Sequence, residues 1–326
     1  MEDKKVNDKK SSWCLCVIIA IVISAALLVI AGLFDMDISK AVADLKPGEY
    51  YSKNGFARAV EIFGEMPIYL FVAYALAVIF WNAFYFGKPS VKYSVCIVCL
   101  VLIAGVCYFV PYRIHSYYTE LSEELIKDKN AVSFFKISVG ICLGAIFLIG
   151  VMLTGKQNIR KQLSFAVIVL FVAAASQLVA QGIKLIDQRV RYRAICAMGD
   201  GGETYFTPWY KLNGKPESFK VLIDSFGKDS VKSFPSGHTT AAGIAFTLMA
   251  LPYTFKTYND KGGKIVFFAI SFACVVLVAY ARVLMGAHYF SDVVFGAIIS
   301  YFLSVLALWL VYKKKALKPL NVYCGL

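Results

Sequence analysis

The chain has 326 residues, of which 59% are hydrophobic and 17% charged, with a formal net charge of +13. So large an apolar fraction lies outside the composition of soluble globular domains. In a soluble protein the charge would point to nucleic acid, but here the Lys and Arg residues fall mostly between apolar segments, where membrane topology accounts for them, and no nucleic-acid partner is expected.

A membrane span needs about 20 apolar residues. Eight segments approach that length, near 13–34, 66–87, 93–111, 134–154, 164–183, 239–255, 265–281 and 293–312. The first is longer than a signal-peptide core and reads as a retained helix. The predicted fold class is therefore all-α, a polytopic membrane helix bundle of about eight transmembrane helices. Of the nine cysteines, Cys14, Cys16, Cys96, Cys99, Cys107, Cys142 and Cys274 fall in apolar segments, and Cys196 and Cys324 in polar ones. They follow neither a disulfide framework nor a zinc spacing and read as small packing residues.

Orientation follows from the short connections. Lys4, Lys5, Lys9 and Lys10, then Lys88 and Lys92, Lys156, Arg160 and Lys161, Lys256, Lys261 and Lys264, and finally Lys313, Lys314, Lys315 and Lys318 all fall on one side of an eight-span bundle. Positive loops mark that side as cytoplasmic. The other face carries Asp35, Asp37, Asp44, Glu49, Glu61 and Glu65, then Glu120, Glu123, Glu124 and Asp128.

Three polar clusters emerge on that second face. Lys184 and Arg191 follow span five and stand seven apart, so a helix running on past the membrane would turn both cations one way. Two such cations can grip an anion, or simply complement a helix end. Pro235, Ser236, Gly237 and His238 precede span six; Ser236 suits an N-cap, Gly237 allows close approach to an anion, and His238 can give a proton to a leaving oxygen. An ordinary helix start with an interfacial histidine accounts for them equally well. Arg282, His288 and Asp292 join spans seven and eight. A helical turn sets the Asp292 carboxylate against the His288 ring, while Arg282 lies off that face, so the chain must bend, with Gly286 the obvious place.

Together these residues resemble the three-part signature of the type 2 phosphatidic acid phosphatase family: Lys, six residues, Arg-Pro; Pro-Ser-Gly-His; and Ser-Arg, five residues, His, three residues, Asp. Every internal spacing is kept. Tyr192 stands where the family has Pro, and Ala281 where it has Ser. The resemblance implies a phosphatase-like core in the C-terminal half, over 164–312, with an extracytoplasmic loop at 192–234. N-terminal membrane helices over 13–163 and cytoplasmic tails at 1–12 and 313–326 complete the expected organisation.

It further implies a lipid phosphate phosphatase working without metal or other cofactor, through a phosphohistidine. His288 would be the nucleophile, Asp292 its partner and His238 the proton donor, with Lys184, Arg191, Ser236, Gly237 and Arg282 binding phosphate. The expected substrate is a lipid phosphate or diphosphate, and the expected location a bacterial inner membrane with the site facing outward. A soluble phosphomonoester, a phosphotransfer reaction, or a non-catalytic transporter or scaffold are the competing readings. His115, the third histidine, has no motif partner and reads as an interface residue. The aromatic residues between Tyr192 and Phe234 read first as interfacial anchors and second as a substrate-gating lid.

Overall fold

A computed structural model describes residues 2–121, 129–213 and 219–313. Glu123, Glu124, Asp128, Lys314, Lys315, Lys318 and Cys324 lie outside them, as do the side chains of Lys4, Lys5, Lys9, Lys10, Cys14, Glu120 and Lys313. In chain order the helices are α1 (Glu2–Val42), α2 (Gly55–Phe63), α3 (Met66–Phe86), α4 (Pro89–Leu121), α5 (Lys129–Leu153), α6 (Lys156–Asp187), α7 (Tyr192–Met198), α8 (Phe219–Phe226), α9 (Gly237–Ala242), α10 (Leu251–Thr254), α11 (Lys261–Leu284) and α12 (Phe290–Leu308). No strand occurs among the described residues, so the fold is the all-α membrane bundle that the hydropathy pattern predicts.

Among the described residues, seven helical segments are long and apolar enough to cross a bilayer. The remaining expected span, the sixth, near 239–255, is helical as well, but Gly243–Ala250, between α9 and α10, is wound as a 3-10 helix. At a rise of 2.0 Å per 3-10 residue and 1.5 Å per α residue, the rod from Gly237 to Thr254 is about 31 Å long. That matches the roughly 30 Å hydrocarbon thickness. Tighter winding thus lets 18 residues span where a uniform α-helix would fall short.

Close helix approach comes from small residues, as it must where lipid and side chains are equally apolar. A Gly140-x-x-x-Gly144 pair on α5 lies against α4, where a Cβ on Gly140 would come within 3.1 Å of Tyr108 Cα. Gly243 and Gly296 do the same between the 3-10 segment and α12, and between α12 and α9. The main core joins α3, α6 and the 3-10 segment through Ala75, Val78, Ala166, Val169, Val172 and Ile244. The outward faces of α1, α4, α5 and α11 carry exposed Ile, Leu, Val and Phe side chains that suit lipid.

Two expectations are corrected. The first helix does not stop at 34 but runs to Val42, so Asp35 and Asp37 are helical rather than loop residues. Glu61 and Glu65 are not loop charges either: both are buried, Glu61 on α2 and Glu65 at the N-cap of α3. The described residues between Tyr192 and Phe234 form a folded cap. Ala194, Ile195, Phe219, Leu222 and Val231 pack with Tyr289, and Trp209 donates to the Leu28 carbonyl of α1 at 3.1 Å.

Candidate active site

The ends of α6, α9, α11 and α12 meet at the capped end of the bundle, and each terminates for a local reason. Helix α6 stops at Asp187 because Gln188 is left-handed, at φ 50°. Lys184 and Arg191 therefore do not share a helix, contrary to the sequence expectation. The extended stretch from Arg189 to Arg191 pairs instead with the segment ahead of α9, through Arg191 N–H to Ser230 O at 2.8 Å and Ser233 N–H to Arg189 O at 2.9 Å. Lys184 reaches the same segment, its Nζ donating to Lys232 O at 3.2 Å.

Ser236 caps α9, its Oγ accepting from Thr239 N–H at 3.3 Å. Its own N–H donates to Asp292 O at 2.9 Å, which ties the second cluster to the third. A Cβ on Gly237 would lie 3.6 Å from Lys184 Nζ, so the ammonium rests against the start of the helix. That places a cation beside a helix N-terminus, both favourable to an anion. Helix α11 ends as expected at a bend on Gly286, whose φ is 65°. A side chain there would meet Leu45 Cδ1 at 2.4 Å. Tyr192, in place of the family's Pro, lies across this glycine and edge-on to Tyr289. Ala281, in place of Ser, is fully buried with Val60, Ala242 and Val278, joining α2, α9 and α11.

His288 sits at the centre, buried. Its Nδ1 lies 2.7 Å from Ser233 O and 3.5 Å from Asp292 Oδ2. A carbonyl can only accept, so Nδ1 carries the proton and Nε2 holds the lone pair. Nε2 is buried with no hydrogen-bond partner among the described residues. Burial, followed by the charges of Arg191, Arg282 and Lys184, pushes the imidazole well below its ordinary pKa and keeps it neutral. The tautomer is fixed by the Ser233 carbonyl first and the Asp292 carboxylate second.

Asp292 has other partners. It accepts from Tyr289 N–H at 2.9 Å, closing the N-terminus of α12, from Ser233 Oγ–H, and from Arg189 Nη1 at 2.7 Å. Arg189 is fully buried. It also donates to Thr207 O at 2.8 Å, Ser291 Oγ at 2.7 Å and Asp35 Oδ2 at 2.9 Å, and its guanidinium lies 4.1 Å from the Tyr289 ring centroid. Asp35 in turn accepts from Ser291 N–H at 2.8 Å and from its hydroxyl. Sequence reasoning missed Arg189, Ser233 and Asp35. The alternation Arg189, Arg191, Arg193 and an acid inside an apolar helix were the available signals.

His238 is also buried, and its Nε2 donates to the Glu61 carbonyl at 2.9 Å. The Tyr117 ring packs 5.2 Å away, centroid to centroid, and Tyr117 OH donates to Glu65 Oε2 at 3.1 Å, beside Arg113. The Arg282 guanidinium contacts the Glu61 carboxylate directly. His115 lies on α4 and makes no hydrogen bond to these groups.

Three cations, a capped helix start, and a buried imidazole with one free nitrogen thus converge. Such a set can bind a tetrahedral oxyanion and attack it. Residues 165–316 match the PAP2 superfamily. A lipid A 1-phosphatase of Rhizobium johnstonii is 36% identical over 80 residues, 24% of this chain and 28% of that protein. A lipid A 1-phosphatase of Rhizobium etli is 39% identical over 70 residues, 22% of this chain and 25% of its own. The similarity thus spans about a quarter of the length of these curated relatives. No solved structure matches the chain. Residues 165–316, which hold all nine matching residues of the signature, are a PAP2 superfamily domain.

Proposed function

We propose that this protein is an integral membrane phosphatase that hydrolyses the phosphomonoester or diphosphate of a lipid through a phosphohistidine at His288. The observation that carries the reading is the unpartnered, buried Nε2 of a neutral His288 facing a cluster of cations. Nε2 attacks phosphorus as the bond to the lipid oxygen breaks, and His238, doubly protonated with its Nε2–H kept on the Glu61 carbonyl, gives that oxygen its Nδ1 proton. Water, deprotonated by His238, then breaks the phosphorus–nitrogen bond and releases inorganic phosphate. Lys184, Arg191, Arg282, Ser236 and the backbone at Gly237 neutralise the equatorial oxygens. Phosphoryl transfer depends mainly on such positioning and charge.

A lipid substrate is supported by a cavity of about 570 Å³ between α1, α11 and α12, lined by Ile23, Leu27, Phe272, Val276, Val294 and Ile298 among others. Val283 and Val293, the chain neighbours of Arg282 and Asp292, are among its lining residues, so it suits an acyl chain whose phosphate lies at the site. The names of the relatives make a lipid A 1-phosphate the first substrate to try, beside phosphatidic acid, phosphatidylglycerol phosphate and a polyprenyl diphosphate. We place the site on the extracytoplasmic face of a bacterial inner membrane, from the Lys and Arg distribution.

The test is phosphate release by the purified full-length protein from this panel, with a water-soluble sugar phosphate as contrast. Release from at least one lipid, abolished in His288→Ala and His238→Ala, is expected. Undiminished turnover in His288→Ala would remove the nucleophile, and preference for the sugar phosphate would remove the lipid.

A further inference from the structure

Glu61 is outside the PAP2 domain, yet it touches two signature residues, His238 and Arg282. It lies on α2, a short helix started by Asn54, whose side chain accepts from Ala57 N–H at 3.1 Å. Its carbonyl holds the His238 ring. Its carboxylate contacts Arg282 Nη1 and lies 3.8 Å from Arg193 Nη1, and all three side chains are almost wholly buried.

In the same cluster of buried cations, Arg191 Nε, Arg193 Nε and Nη1, Arg282 Nε and His288 Nε2 are buried without a hydrogen-bond partner among the described residues, as is Glu61 Oε2 itself. One carboxylate therefore leaves most of this seat unsatisfied. Buried cations lacking a counter-ion are costly, and buried unpaired donors add to the cost. Glu61 on Arg282 and Arg193, with Asp229 acting on Arg191, stabilises the empty protein without filling the seat. A phosphate, with more charge and more acceptor oxygens, outcompetes it. The same cations that favour phosphate binding then oppose its departure.

We propose that Glu61 is a built-in counter-ion that shares Arg282 with phosphate and speeds release of the product by taking the guanidinium back. This rests on reading the cluster as a phosphate seat. It makes Glu61 a positioning residue for His238, through its backbone, and a determinant of phosphate affinity, through its side chain.

The test is Glu61→Gln in the full-length protein in detergent, with inorganic phosphate as the probe. The substitution removes the charge and keeps the backbone carbonyl. Calorimetric titration is expected to show phosphate bound about tenfold more tightly than by the wild type. Product inhibition should strengthen by the same factor, and kcat should fall as release becomes limiting. A merely structural glutamate would lower stability and kcat without tightening phosphate.

If Glu61→Gln fails to fold, Glu61→Asp keeps the charge but draws it back from Arg282, and is expected to tighten phosphate by a smaller factor. Equal or weaker phosphate binding in the folded variant overturns the proposal, as does absence of binding in both proteins. Binding is read without turnover, so a wild type that binds phosphate but cleaves no lipid would sink the phosphatase reading alone.

Discussion

Arg189→Met is the most demanding perturbation of this site, because among the described residues the guanidinium is the sole charged partner that Asp35 and Asp292 share. The substitution keeps much of the volume and removes four hydrogen bonds, to Thr207 O, Ser291 Oγ, Asp292 Oδ1 and Asp35 Oδ2. Both carboxylates remain buried, and removing one partner of a buried ion pair costs about 3–5 kcal/mol. Asp35→Asn alone should cost less, about 1–3 kcal/mol, because the amide oxygen can still accept from Ser291. The two changes should not add: in the Asp35→Asn background, Arg189→Met is expected to cost about 1–3 kcal/mol less than in the wild type. Reversible unfolding in mixed detergent micelles, run as a double-mutant cycle, measures all three. A loss below about 1 kcal/mol for Arg189→Met, or strict additivity, would show that the network does not hold α1 to the site.

Gly296→Ala sets a Cβ 2.8 Å from Ser236 O and 3.3 Å from Thr240 N, so the start of α9 must lift from α12. A loss of about 1–3 kcal/mol, the usual scale of overpacking, is expected in unfolding, with phosphate release falling at least about tenfold. Because burial and three cations lower the His288 pKa, the neutral ring persists below pH 6.5 and is lost only as pH falls through the lowered value. Nitrogen-15 spectra of histidine-labelled protein at pH 6 should show His288 as the neutral Nδ1–H tautomer, and a titration midpoint near 6.5 would contradict this. His115→Ala is expected to leave turnover within about a factor of two, since the half-buried ring makes no hydrogen bond to the site residues; complete loss would mean the site lies elsewhere.

Much of the chemistry was legible because it is local. The spacing of His288 and Asp292, the Ser236 cap and the bend at Gly286 are set by helical geometry over a few residues, and hydropathy marks helices of membrane length. Their spacing puts Lys184 and Arg191 on one helix, but a left-handed Gln188 ends that helix between them, and this cannot be told from sequence.

Sequence alone determined that this is a helical membrane protein and which residues carry the PAP2 signature. Tertiary structure decided who holds them. Asp35 reaches Arg189 across 154 residues and Glu61 reaches His238 across 177, and no periodicity carries that information. Such pairs form because buried charges must find partners wherever packing brings one within reach. The N-terminal helices thereby became walls of the site rather than appended spans.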